Sequence, residues 1–267
     1  MNWNRILILA AFDLRHSIFR LKGLVFLIPC LFFWYLVLKF LWENGEKLLA
    51  SREGILFFSW LLRPEIAQTL LIQHPPTLSM FFIIALGTTP FFAMLSGNDQ
   101  LASDAGKFTF RFFLTRCTRA EIFAGRFISH YLLFAITTLL AGSLATAISL
   151  HNDQHTTADI IEYAAEVNGL LLLYMVPYSA YMAAISALMS SALSALLLSV
   201  TLYVVLLIGG GYLESHLASG IALVPSGVKE YLFRIRPDDI KFALAGLLAY
   251  SCIYISFGWL IFRKRNI

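Results

Sequence analysis

Charge is what this sequence has least of. Only 13% of its 267 residues are Asp, Glu, Lys or Arg, and 59% are hydrophobic. A water-soluble domain carries roughly a quarter charged residues. So few charges cannot coat a folded surface in water, so lipid is the expected solvent for much of the chain. Cysteine is scarce as well: Cys30, Cys117 and Cys252 are isolated, odd in number and without metal-ligand spacing. They read as small apolar residues and exclude a disulfide frame or a zinc site. There is no Gly-x-x-x-x-Gly-Lys-Ser/Thr loop. Gly106-Lys107 is followed by Phe108 and lacks the preceding glycine, so this chain does not cradle nucleotide phosphates by that device. The N-terminal run Ile6–Phe12 is cut off by Asp13 and Arg15, which argues against a cleaved signal.

What is present is a series of long apolar runs. About 20 apolar residues are needed to cross the hydrocarbon core as a helix. Six segments meet or approach that length: Gly23–Trp42, Leu78–Leu95, Phe127–Leu150, Gly169–Met189, Ala192–Tyr212 and Phe242–Phe262. None alternates as a barrel strand would. The expected architecture is an all-α integral membrane protein of about six spans in a single transmembrane domain, residues 1–267. Inside these six segments there is no Asp or Glu. An intramembrane protease or a proton-coupled carrier needs ionisable groups at depth, and their absence counts against both.

Lysine and arginine fix the expected orientation. Residues 1–22, 96–126 and 263–267 hold twelve of the twenty basic residues, accompanied by only Asp13, Asp99, Asp104 and Glu121. The other side has eight basic and twelve acidic residues. The bias selects both termini on the cytoplasmic side.

Three segments outside the apolar runs carry further signal. In residues 1–22, Trp3, Leu7, Ala10, Leu14, Ile18 and Leu21 form one stripe at 100° per residue, with Arg5, Asp13, His16 and Arg20 opposite and Leu9 among the charges. This predicts an interfacial helix with its apolar stripe in lipid and its charged side towards phosphates or a partner. On the other side, Ile55–Leu62 is too short to span and suits an interfacial helix, and residues 213–240 suit a re-entrant or interfacial hairpin before the last span. The loop 97–121 spends far more residues than a connector requires. It begins with a short helix bearing Asp99 and Asp104, passes through Phe108, Phe110, Phe112 and Phe113, and reaches Thr118-x-x-Glu121, a capping box ahead of the third span.

That loop resembles the signature region of ABC-2 type transporter permeases. Asp99, Asp104 and Gly106, then Phe112-Phe113-Leu114, then Arg119, Gly125 and Arg126 follow the family's pattern in order. The family usually has Glu where Asp104 stands and often Pro where Arg116 stands. The amphipathic entry helix, six spans and basic tail agree. The resemblance implies the transmembrane subunit of a bacterial inner-membrane exporter, with the loop as a coupling helix seated in a cleft of a separate ABC ATPase subunit. That partner would hold ATP and magnesium; this chain would bind no cofactor and no nucleic acid. Two permease copies, or two homologous permeases, would face each other in lipid. Asp99, Asp104, Arg111, Arg116, Arg119 and Glu121 are the expected ATPase-coupling residues. The alternative is a non-transporting subunit that uses the same engine to drive assembly or maturation of an envelope enzyme or a motility apparatus.

Other candidates are weaker. Tyr174, Pro177, Tyr178 and Tyr181 form an aromatic, kink-prone face that suits a translocation path, although ordinary packing accounts for any one of them. His151 and His155, at i and i+4 with Asp153 between, could present a metal pair, but a solvated connection is the better reading. His130 is expected to be a shallow, neutral, hydrogen-bonded residue.

Overall fold

The apolar runs become helices that satisfy their own backbone hydrogen bonds, as hydrocarbon demands. The computed structural model describes residues 2–19, 21–50, 66, 69–102, 104, 113–217, 224–234 and 237–265. Its helices are α1 (Trp3–Phe19), α2 (Leu21–Ala50), α3 (Pro76–Gly97), α4 (Arg119–Asn152), α5 (Thr157–Leu188), α6 (Ala192–Leu217), α7 (Lys229–Phe233) and α8 (Pro237–Lys264). A π-helical turn covers Thr69–Gln73 and a 3-10 turn Pro225–Val228. No strand occurs among the described residues, and six of the helices (α2 to α6 and α8) are long and apolar enough to cross a membrane.

The sequence places the caps. Thr118 and Glu121 form the expected capping box at the start of α4: the Glu121 N–H donates to Thr118 Oγ1 (3.4 Å) and the Thr118 N–H to Glu121 Oε2 (2.9 Å). Thr156 accepts from the Asp159 N–H and starts α5 twelve residues ahead of its apolar run, because the polar stretch from Asp159 to Glu166 is helical too. At α3 the N-cap is Pro75, which has no capping side chain. Asp153, arriving from the end of α4, supplies that acceptor instead. Its carboxylate takes the Thr77 N–H (3.3 Å) and the Thr77 and Ser149 hydroxyls (2.7 and 2.5 Å).

Helix α5 is the centre of the bundle. It packs against α3, α4, α6 and α8, and 83% of its most apolar 18-residue stretch is buried, against 11% of that of α6. Small residues allow the closest approaches. A Cβ at Gly258 of α8 would lie 2.9 Å from the Ala184 Cα of α5, and one at Gly125 of α4 would lie 2.9 Å from Leu9 of α1.

The entry helix departs from its predicted orientation. Trp3 and Leu7 of the apolar stripe are exposed as expected, but Ala10 is buried, and so are Ile6, Leu9 and Asp13. Leu9 and Asp13 therefore face the chain's own α4 rather than phosphates or a partner. A two-solvent wheel has no place for a third environment, and here that environment is α4: Gly125 makes room for Leu9, and Arg126 draws in Asp13. Ile8 and Phe12 are exposed, so apolar surface extends round the outer half of the helix.

In the segment before α8, Val224, Pro225, Val228, Leu232 and Phe233 are buried, and the Phe233 ring meets Phe82 edge-on at 5.7 Å. Irregular backbone is thereby backed by protein. The predicted helix Ile55–Leu62 and residues 218–223 of the predicted hairpin lie outside the described residues.

Candidate functional site

Both described termini and the segment ahead of α4 meet at one end of the bundle. An apolar cluster joins Leu9 of α1, Leu101, Ile122 and Phe123 of α4, Ala183 and Ala187 of α5, and Phe262 of α8. Phe123 lies 6.0 Å from the Phe262 ring and 6.1 Å from Trp259.

A polar network sits on this cluster, centred on Arg126. Its Nε lies 3.1 Å from Asp13 Oδ2, its Nη2 pairs with Asp104 Oδ2, and its guanidinium lies 5.7 Å from the centre of the Phe113 ring. The side chains of Asp13, Arg126 and Asp104 are 7%, 18% and 23% exposed. One cation therefore serves two carboxylates, one on the entry helix and one on the loop. Burial is the largest influence on Asp13 and raises its pKa; Arg126 pulls the other way, and the Asp104 charge adds to the rise. The result is about 6.

Glu121 is spent on helix ends. Besides the capping box, its Oε1 accepts the Asn2 N–H at 2.8 Å, which ties the start of α1 to the start of α4. Arg5 adds a second tie, donating to the Arg116 carbonyl at 3.2 Å. Arg119 reaches across to the last turn of α8, donating to the carbonyls of Arg263 (2.6 Å), Arg265 (2.9 Å) and Phe262 (3.4 Å).

The expected coupling residues are thus brought to one end of the fold with different surroundings. Asp104, Arg119 and Glu121 make contacts within the chain. The Arg116 side chain is exposed on the surface, Asp99 is half-buried, and Arg111 lies outside the described residues, as do Phe108, Phe110 and Phe112. Sequence reasoning missed Asp13, which it placed on the wrong side of α1, and Arg265. It placed Arg126 in the motif without seeing its charge partners.

A match to a known family settles the class. The description of ABC-2 family transporter proteins matches residues 9–237, which takes in most of α1, all of α2 to α7 and the Asp13, Arg126 and Asp104 group. The chain belongs to the ABC-2 transporter family. It is a multi-pass membrane component of that class. No curated protein matches the sequence.

The second candidate region of this ABC-2 protein lies within the bundle. Tyr174, Pro177, Tyr178 and Tyr181 are all buried on α5. The Tyr174 and Tyr178 hydroxyls are 2.7 Å apart, the Tyr178 ring meets Tyr203 of α6 at 6.2 Å, and the Tyr181 hydroxyl donates to the Ser199 carbonyl of α6 at 2.7 Å. Tyr181 also meets Tyr254 of α8 at 5.5 Å, and Tyr254 stacks on Tyr250. Six tyrosines therefore fill the seam of α5 with α6 and α8. The i, i+4 pair Tyr250/Tyr254 repeats the spacing of Tyr174/Tyr178 and was the available signal for the rest of the cluster.

At the opposite end, His151 stacks flat on Trp42 at 4.9 Å, and His74 stacks on Tyr163 at 4.5 Å. Burial, and secondarily His155, lowers the His74 pKa. Among the described residues no group of three or more His, Cys, Asp or Glu could hold a metal ion. His130 is buried in α4 with Nε2 2.7 Å from the Ser96 hydroxyl.

Proposed function

We propose that this ABC-2 protein is the permease subunit through which a separate ATPase subunit drives export across a bacterial inner membrane, with both termini and the loop 97–121 in the cytoplasm. One observation supports this most strongly. The loop is tied at both its ends into a network reaching α1, α4 and α8, where a passive connector would need no such ties. A partner that moved the loop would move helix ends, and tilting rigid helices is how such a push would open a path. Asp104, Arg119 and Glu121 transmit inside the chain, while Arg116, with Asp99 and Arg111, meets the ATPase. Two copies face each other, since α6 and α8 leave most of their apolar surface to lipid or a second subunit.

The tyrosine seam is the proposed lining of the path. It offers aromatic faces and hydroxyls and no charge, which suits an amphipathic cargo better than a small ion. The test is co-expression with a candidate ABC-type nucleotide-binding subunit from the same organism. Arg116→Glu should leave the chain inserted but weaken ATPase binding and abolish coupled hydrolysis. Unchanged binding and hydrolysis would sink the proposal. Hydrolysis stimulated by an amphipathic cargo in liposomes would favour export; hydrolysis that no cargo alters would favour the assembly role instead.

A further inference from the structure

Arg265 repeats at α5 what Arg119 does at α8. Its Nη1 lies 2.6 Å from the Ala187 carbonyl and 2.9 Å from the Met189 carbonyl, where α5 ends. The last carbonyls of a helix have no partner within it and carry the negative end of its dipole, so a guanidinium there is well placed. Two such caps are ordinary taken singly. Here they are connected in series. Arg119 is the first residue of α4, directly after the N-cap Thr118 and inside the capping box, and it holds the end of α8. Arg265 immediately follows α8, and it holds the end of α5. The same three helix ends share the Phe123 and Phe262 cluster, and α8 touches α5 backbone to backbone at Gly258 and Ala184.

We infer that Arg265 is a positioning residue that locks the end of α8 onto the end of α5, completing a chain of two arginine caps that carries displacement of the loop from α4 through α8 to α5. The element at the end of that chain is the most buried span and the bearer of Tyr174, Tyr178 and Tyr181. Helix α6 lies outside the chain and touches α5 through the tyrosine seam and Ala195. Displacement delivered to α5 and α8 is therefore relative to α6, at the seam that lines the proposed path. The transmission part rests on the function proposed above; the lock itself does not.

Two measurements on a chain with its three cysteines replaced separate these parts. In the chain alone, spin labels at Leu188 of α5 and Leu260 of α8, both exposed, report the lock. Wild type and Arg265→Lys should give one narrow distance, and Arg265→Met, which keeps length but loses the donors, a broad one. An unchanged narrow distance in Arg265→Met overturns the inference whatever the chain's function. In the complex with its ATPase, vanadate trapping should shift the distance between labels at Ile161 of α5 and Val204 of α6. Arg265→Met should lose that shift while the ATPase still binds and hydrolyses ATP, and Arg265→Lys should recover it. Lys264→Ala, one residue away and outside the caps, should behave as wild type. A full shift in Arg265→Met overturns transmission. A wild-type chain that binds no ATPase contradicts the proposed function, and the lock is then judged by the first distance.

Discussion

Replacing Arg126 by Met should destabilise the protein by an amount that grows with pH. Asp13, 7% exposed, cannot recover its hydration when Arg126 is lost, whereas Asp104, 23% exposed, largely can. With Arg126 in place Asp13 has a pKa of about 6, above the ordinary 3.8. Its contribution to stability is therefore fully present below about pH 3.8 and is lost as pH rises to about 6. Without Arg126 the pKa rises further, and the loss continues above pH 6 at about 1.4 kcal/mol per pH unit. At pH 5.5 the proton is already bound, and the variant loses only the Asp104 pair and the Phe113 contact, about 1 kcal/mol. At pH 8 the added cost of protonating or stranding Asp13 is about 2.7 kcal/mol, giving a total near the lower end of the 3–5 kcal/mol found when one member of a buried pair is removed. Thermal unfolding of the detergent-solubilised chain at the two pH values reads this directly, at roughly 2–4 °C per kcal/mol for a chain of this size. In an Asp13→Asn background the pH-dependent part should vanish. Equal losses at pH 5.5 and pH 8, or the same losses with Asn at position 13, would refute the reasoning.

Three further substitutions probe other contacts. Gly258→Ala puts a Cβ 2.9 Å from the Ala184 backbone, which no rotamer change relieves; it should cost about 1–3 kcal/mol by overpacking, and an unchanged melting temperature would contradict the close approach. Asp153→Ala removes the acceptor that caps α3 from another helix, and should cost about 1–2 kcal/mol with faster amide exchange at Thr77; exchange equal to wild type would exclude that cap. Tyr178→Phe leaves the Tyr174 hydroxyl without its 2.7 Å partner and should cost about 1–3 kcal/mol, whereas the double change to Phe should come closer to wild type. Additive losses in that double variant would show that the two hydroxyls do not pair.

The spans and the α4 cap were legible because their signals are local. A run of apolar residues and a Thr-x-x-Glu spacing need no knowledge of neighbours. The start of α5 was not, because its first turns are polar and fall outside any hydropathy window. The buried side of α1 was misread because a helical wheel divides residues between lipid and water, and Leu9 and Asp13 go to neither. Arg119 was legible as a motif residue, but its bonds to Arg263 and Arg265 depend on which helix ends meet in space. Arg265 carried no signal at all beyond belonging to a basic tail.

The central claim, that this ABC-2 chain is driven by a separate ATPase through its loop, is most directly tested by the affinity of the purified chain for a candidate nucleotide-binding subunit from the same organism and the hydrolysis rate of the resulting complex. Saturable binding with a hydrolysis rate that changes on assembly, and loss of both in Arg116→Glu, is the predicted result. No binding by the wild-type chain, or identical binding and hydrolysis by Arg116→Glu, would contradict it.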